Sequence, residues 1–149
     1  MGLSADKDVK FDWYGSLSLA RQLWAYADDL EAAATVRMND ANAVLKSWLG
    51  QYADKFIATA NDEQTSLTNV IANLRNDATA WAQAWKLAMD QQNRVLYARK
   101  VKQVEDSRSG WDSFWGGLTG HDDLPPEPQP VPTPTSPNFA ATAGFYTGT

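Results

Sequence analysis

Apolar residues recur at three- and four-residue steps along two long stretches of this chain, and little interrupts them. In the first stretch Leu23, Ala27, Leu30, Ala34, Ala41, Leu45 and Trp48 form one stripe, with Arg37 the polar intruder. In the second, Ala53, Ala60, Leu67, Leu74, Trp81, Ala88 and Val95 recur at a strict seven-residue interval. A companion register runs Ile57, Gln64, Ile71, Ala78, Trp85, Gln92 and Arg99. Such spacing keeps one helical seam facing a partner helix and favours left-handed supercoiling. The seam turns polar at Gln92 and Arg99, so its packing signal fades toward the end.

From Ser16 to Ser109 there is no proline, and Gly50 is the only glycine. In a helix interior glycine costs about 1 kcal/mol and proline about 3 kcal/mol. A lone glycine in such a run marks a turn between two helices. The pattern predicts an all-α antiparallel hairpin, with helices over roughly 17–48 and 52–106 and an elbow at Trp48-Leu49-Gly50. At ~1.5 Å per residue the first helix is about 46 Å long and the second about 80 Å. The first therefore covers only about residues 52–83 of the second. Trp85, Ala88, Val95 and Leu96 lie beyond its reach, and apolar side chains of this size, worth ~1.5–3 kcal/mol each when buried, call for a cover. Four covers are open: a second copy, a different hairpin, the Phe11-Asp12-Trp13-Tyr14 segment, or a bend that makes a third helix.

Beyond Gly110, Trp111, Phe114, Trp115 and Leu118 fall on one face of a short amphipathic segment. It is a candidate docking segment, either onto the protein's own bundle or onto a partner. Membrane contact is not expected, because the opposite face lacks lysines and arginines. All seven prolines lie between Pro125 and Pro137. Composition of this kind predicts an extended, solvated, disordered tail, with Phe139, Phe145 and Tyr146 as a candidate docking element. The expected organisation is a lead over 1–16, the hairpin over 17–108, the aromatic segment over 109–120 and a disordered Pro-rich tail over 121–149.

Composition narrows the function. The chain has 149 residues and a formal net charge of −5 at pH 7, which argues against nucleic acid as the main partner. It contains no cysteine, which removes disulfides and thiolate chemistry. No stretch of about 18 apolar residues marks a membrane span, and Met1 to Asp6 does not read as a secretory leader. The single histidine, His121, sits in Gly120-His121-Asp122-Asp123 at the mouth of the tail. Metal sites and nucleophiles need converging groups on a rigid scaffold, so neither an enzyme nor a cofactor nor a metal is expected. The basic residues Arg94, Arg99, Lys100, Lys102 and Arg108 read as complements to a helix dipole.

The segment Ala41-Asn42-Ala43-Val44-Leu45-Lys46-Ser47-Trp48-Leu49-Gly50-Gln51-Tyr52-Ala53-Asp54-Lys55-Phe56 resembles the hairpin elbow of the W-x-G family of small type VII (ESX-like) secretion substrates. The resemblance covers roughly residues 20–90. It implies a four-helix bundle of two hairpins, as a homodimer or with a heterologous helical-hairpin partner. It also implies secretion of the folded protein without a cleaved signal peptide after a cytoplasmic stage, as effector, escort or toxin-targeting module. A type VII ATPase and larger secreted cargo are the implied partners. On this reading Trp48 and Gly50 carry the motif, and Leu67, Ile71, Leu74, Trp81, Trp85 and Val95 form the bundle or partner interface. The chain departs from the family in its length and tail, in the bulk of Trp81 and Trp85, and in lacking a Tyr-x-x-x-Asp/Glu after the second helix, where Tyr97 is followed by Val101. The rival expectation is a structural coiled-coil component of a phage or injection-machine assembly, motivated by the long second helix and extended tail.

Overall fold

The computed structural model describes residues 7–47, 50–115 and 124–149, with the backbone alone across 108–115. Two helices carry it, α1 (Trp13–Leu45) and α2 (Gln51–Trp115), and they pack against each other as a hairpin. No strand occurs among the described residues. Both helices begin or end away from the expected limits. α1 starts at Trp13, inside the expected lead, and stops at Leu45 instead of Trp48. There the Ser47 N–H bonds the Val44 carbonyl at 3.1 Å and the Ser47 hydroxyl bonds the same oxygen at 2.9 Å, which closes the last turn tightly. Gly50 has φ 96° and its carbonyl accepts the Asp54 N–H at 3.3 Å. The glycine therefore opens α2 instead of capping α1, and Asp54 places a negative charge at the positive end of that helix. Trp48 and Leu49 lie outside the described residues.

α2 continues through Gly110 to Trp115, where the sequence predicts an end near 106 and a separate segment from 109. One helix-interior glycine costs only about 1 kcal/mol against alanine, which intrahelical bonding on both sides outweighs. Leu118 lies outside the described residues, as do the side chains of Trp111, Phe114 and Trp115.

The chain divides into two compact units. The hairpin unit holds Tyr14–Ala82 and Thr135–Ala140. On α1, Ala20, Ala27 and Ala34 are buried at seven-residue steps, and on α2 Ile71, Ala78 and Ala82 are buried. Small side chains on a shared seam let two backbones approach closely. Ion pairs bridge the two antiparallel helices. Arg75 bonds Asp28 and Glu31, each at 2.8 Å, and Arg37 bonds Glu63 at 2.9 Å. The Arg75 guanidinium also lies 5.3 Å from the Trp24 ring centroid, and the two carboxylates hold its pKa above the ordinary arginine value. Arg37, the polar intruder of the α1 stripe, thus faces outward and ties the two helices together. Within the same unit Phe139 is 1% exposed and stacks edge-on against Trp24 at 5.8 Å. Its φ of 41° is unusual for an aromatic residue. The buried ring, the Phe139 N–H bond to the Thr135 carbonyl at 2.8 Å and an Arg21 bond to the Phe139 carbonyl at 3.1 Å hold it there.

The tail unit holds Met1–Trp13, Gln83–Pro134 and Ala141–Thr149. Here Trp85, Ala88, Met89 and Val95 of α2 are buried. Trp85, Ala88 and Val95 are three of the four residues for which the sequence calls for a cover; the fourth, Leu96, is half-buried. Two non-helical segments dock in this unit. One is the lead, held through Asp8 and Val9. The other is the tail, and the disorder expected over 121–149 is not confirmed for the described residues from Leu124 on. Proline lowers the conformational entropy that an extended segment loses on docking, and Val131 is only 4% exposed. A proline-rich composition excludes helix but does not exclude a packed, extended chain.

Candidate docking surfaces

Two surfaces stand out. The first is in the hairpin unit, where the C-terminal half of α1 and the N-terminal part of α2 leave a groove of about 860 Å³. Ala34, Met38, Ala41 and Val44 line it from α1, and Phe56, Ala60, Leu67 and Val70 from α2. Arg37, Asp40, Asp62 and Glu63 add polar groups to the lining. Val44 and Val70 keep 40% and 46% of their surface exposed. An apolar strip interspersed with charged side chains has the composition of a protein–protein interface, whose centre is apolar and whose edge is wet. Toward the turn the helices bury less: Tyr52 and Ile57 are exposed, while Ala53 alone of the first α2 turns is buried.

The second surface, in the tail unit, is occupied. Asp90, Gln92 and Asn93 lie within one turn of α2, and each accepts a main-chain N–H from a non-helical segment. Asp90 takes Val131 at 2.7 Å, Gln92 takes Val9 at 2.7 Å, and Asn93 takes Tyr146 at 2.9 Å. The Gln92 amide in turn donates to Asp8 at 2.8 Å, and Asp8 pairs with Arg99 at 2.8 Å. Burial along the tail recurs every third residue, at Pro125, Pro128, Val131 and Pro134, with the residues between more exposed. Three residues per turn is the period of a polyproline II helix. The returning segment runs back along it: Tyr146 donates its hydroxyl to the Pro126 carbonyl and Thr142 to the Pro132 carbonyl, each at 2.5 Å. Tyr146 also meets Tyr97 edge-on at 6.0 Å, and Phe145 meets Trp13 at 5.3 Å. Gly148, at φ 89°, lies on the Lys100 alkyl chain, where a Cβ would approach to 3.1 Å.

Electrostatics sharpen this clasp. The Gln92 amide, followed by Arg99, holds the Asp8 carboxyl below the ordinary value of 3.8. For Asp90 burial opposes ionisation, but hydrogen bonds from Lys86 and from the Val131 N–H outweigh it, and its pKa is also lowered. Burial and the neighbouring Tyr97 raise the Tyr146 phenol.

The interface residues named from the sequence separate into different settings. Leu67 lines the open groove, Ile71 is buried in the hairpin unit and Leu74 is half-buried. Trp81 keeps 41% of its surface exposed, whereas Trp85 at 2% and Val95 are buried in the tail unit. Gly50 occupies the turn, and Trp48 lies outside the described residues. The sequence reading missed Asp8, Asp90, Asn93 and Val131. The signal for them was present in two places. Gln92 and Arg99 break an apolar register where hooks for another segment are needed, and Val131 replaces a proline on the three-residue inward face of the tail.

Among the described residues no group of three or more histidine, aspartate or glutamate side chains is placed to hold a metal ion. No helix there is long and apolar enough to cross a membrane. No family model matches the chain, and neither a curated protein nor a solved structure matches it.

Proposed function

We propose that this chain is a non-enzymatic substrate or escort of a type VII (ESX-like) secretion system and acts through helical-bundle association. The observation that carries this reading is the open apolar groove of a two-helix hairpin whose connecting sequence contains Trp48-Leu49-Gly50. A two-helix hairpin offers one more apolar face than it can bury alone, and a second hairpin supplies the missing face. In this proposal the groove between Val44 and Val70 receives the partner hairpin, either another copy or a different chain. The elbow then serves as one half of the export signal, and the partner supplies the Tyr-x-x-x-Asp/Glu half that this chain lacks.

The test is to tag the chain in its native host and to assay medium and cells separately. Intact protein in the medium, lost when the type VII ATPase is disabled, is the expected result. Protein confined to the cells and bound to no component of such a system would overturn the proposal.

A further inference from the structure

We propose that the α2 surface between Lys86 and Lys100 is a binding site for extended polypeptide, filled in cis by the tail, and that it takes the tail of a second copy in trans. The inference is independent of the export reading. Two acceptors within one helical turn, Asp90 and Asn93, hold main-chain N–H groups of the tail at 2.7 and 2.9 Å, while Gln92 beside them holds Val9 of the lead at 2.7 Å. Main-chain hydrogen bonds combined with pockets for periodic side chains are the general mode by which proteins capture extended peptides. The side-chain half of that recognition is the inward row Pro125, Pro128, Val131 and Pro134, of which Val131 and Pro134 are buried. The aromatic pair Tyr97 and Tyr146 closes the other edge.

The ligand is therefore defined by this chain: a proline-rich segment with an apolar residue at the inward third position, followed by an aromatic whose N–H meets Asn93. A second copy carries the same segment and reproduces every contact, so closed and exchanged forms differ only in connectivity. Eight residues, 116–123, separate the end of α2 from the tail. Because site and tail belong to one chain, docking in cis is intramolecular and a free peptide has to compete with it. The site is consequently masked in the resting chain and opens when its own tail is weakened.

A fluorescent peptide of residues 124–149 titrated into three full-length chains tests this. The wild-type chain is expected to bind it weakly. Val131→Glu, which releases the cis tail, is expected to bind at least about 10-fold more tightly. The triple variant Val131→Glu, Asp90→Ala, Asn93→Ala is expected to lose that gain, since each lost bond to a buried or charged acceptor costs about 10-fold. Equal binding by the first two chains, retention of affinity by the third, or equal affinity for a scrambled peptide overturns the proposal. If Val131→Glu loses its helical circular dichroism, a full-length chain cut at a protease site placed within 116–123 replaces it, with the same expected gain. Loss of helix in both forms also overturns the proposal, because the tail is then an inseparable part of the core. Val44→Glu in the hairpin groove should leave peptide binding unchanged, which separates this site from the partner surface of the export reading.

Discussion

Gly50 shows how much one residue decides. Its φ of 96° lies in the region where a Cβ crowds the following carbonyl, at a cost of roughly 1–2 kcal/mol for other residues. Nothing else stands within 4 Å of where a Cβ would sit, so the cost of substitution there is conformational alone. Gly50→Ala is expected to lower stability by about 1–2 kcal/mol, read from the urea midpoint at unchanged helical content. A loss below about 0.3 kcal/mol would show that the turn reaches another conformation freely. The two tryptophans four residues apart behave oppositely for the same kind of reason. Trp85 is 2% exposed and Trp81 is 41% exposed. Trp85→Ala should cost about 3–5 kcal/mol, the range for large aromatic truncations in a core, and Trp81→Ala less than about 1 kcal/mol. Thermal denaturation of the pair checks the contrast.

At the scale of elements, the lead and the tail are held by carboxylates whose folded pKa values are depressed. Asp8 and Asp90 both lie below 3.8 in the folded chain. A depressed carboxylate stabilises the fold fully above its ordinary pKa, and that contribution disappears as pH falls through the lowered value. The clasp should therefore hold from neutral pH down to about pH 4 and loosen below it. The protection of the Val131 and Val9 amides, relative to an unstructured peptide at the same pH, is expected to fall below that point while the α1 and α2 amides stay protected. Asp90→Asn should remove the acid step at Val131 but leave the step at Val9, which depends on Asp8 through Gln92. The helices themselves were legible from period and punctuation, because 3.6-residue spacing and the absence of proline are local properties. Their ends were less so. Gly110 and Trp48 were read as boundaries, yet a helix runs past a single glycine when neighbouring turns support it, and α1 closes through Ser47 before the elbow.

At the scale of the whole molecule the open question is what meets the hairpin groove. Val44 and Val70 are exposed on its two walls, so charging them removes apolar contact area without disturbing a packed core. Val44→Glu combined with Val70→Glu should leave the helical content unchanged, and at a concentration where wild type is monomeric its unfolding free energy should lie within about 0.5 kcal/mol of wild type. The same variant should convert a self-associating chain to monomer in sedimentation equilibrium. A wild-type chain that is monomeric at every concentration and captures no hairpin partner would remove this surface from the proposed function.

The sequence by itself determined the two helices, the glycine turn between them and the need for a cover over Trp85 and Val95. Each of these follows from spacing, backbone conformational cost and apolar area, quantities that depend on neighbours along the chain. Tertiary structure alone decided what the cover is. Gln92 takes Val9 across 83 residues of sequence, Asp90 takes Val131 across 41, and Asn93 takes Tyr146 across 53. A hydrogen bond of that span leaves no periodic trace, because its partner is selected by where the fold brings a free N–H to a buried acceptor. The tail's prolines excluded helix, and only the geometry of α2 made an extended segment bind.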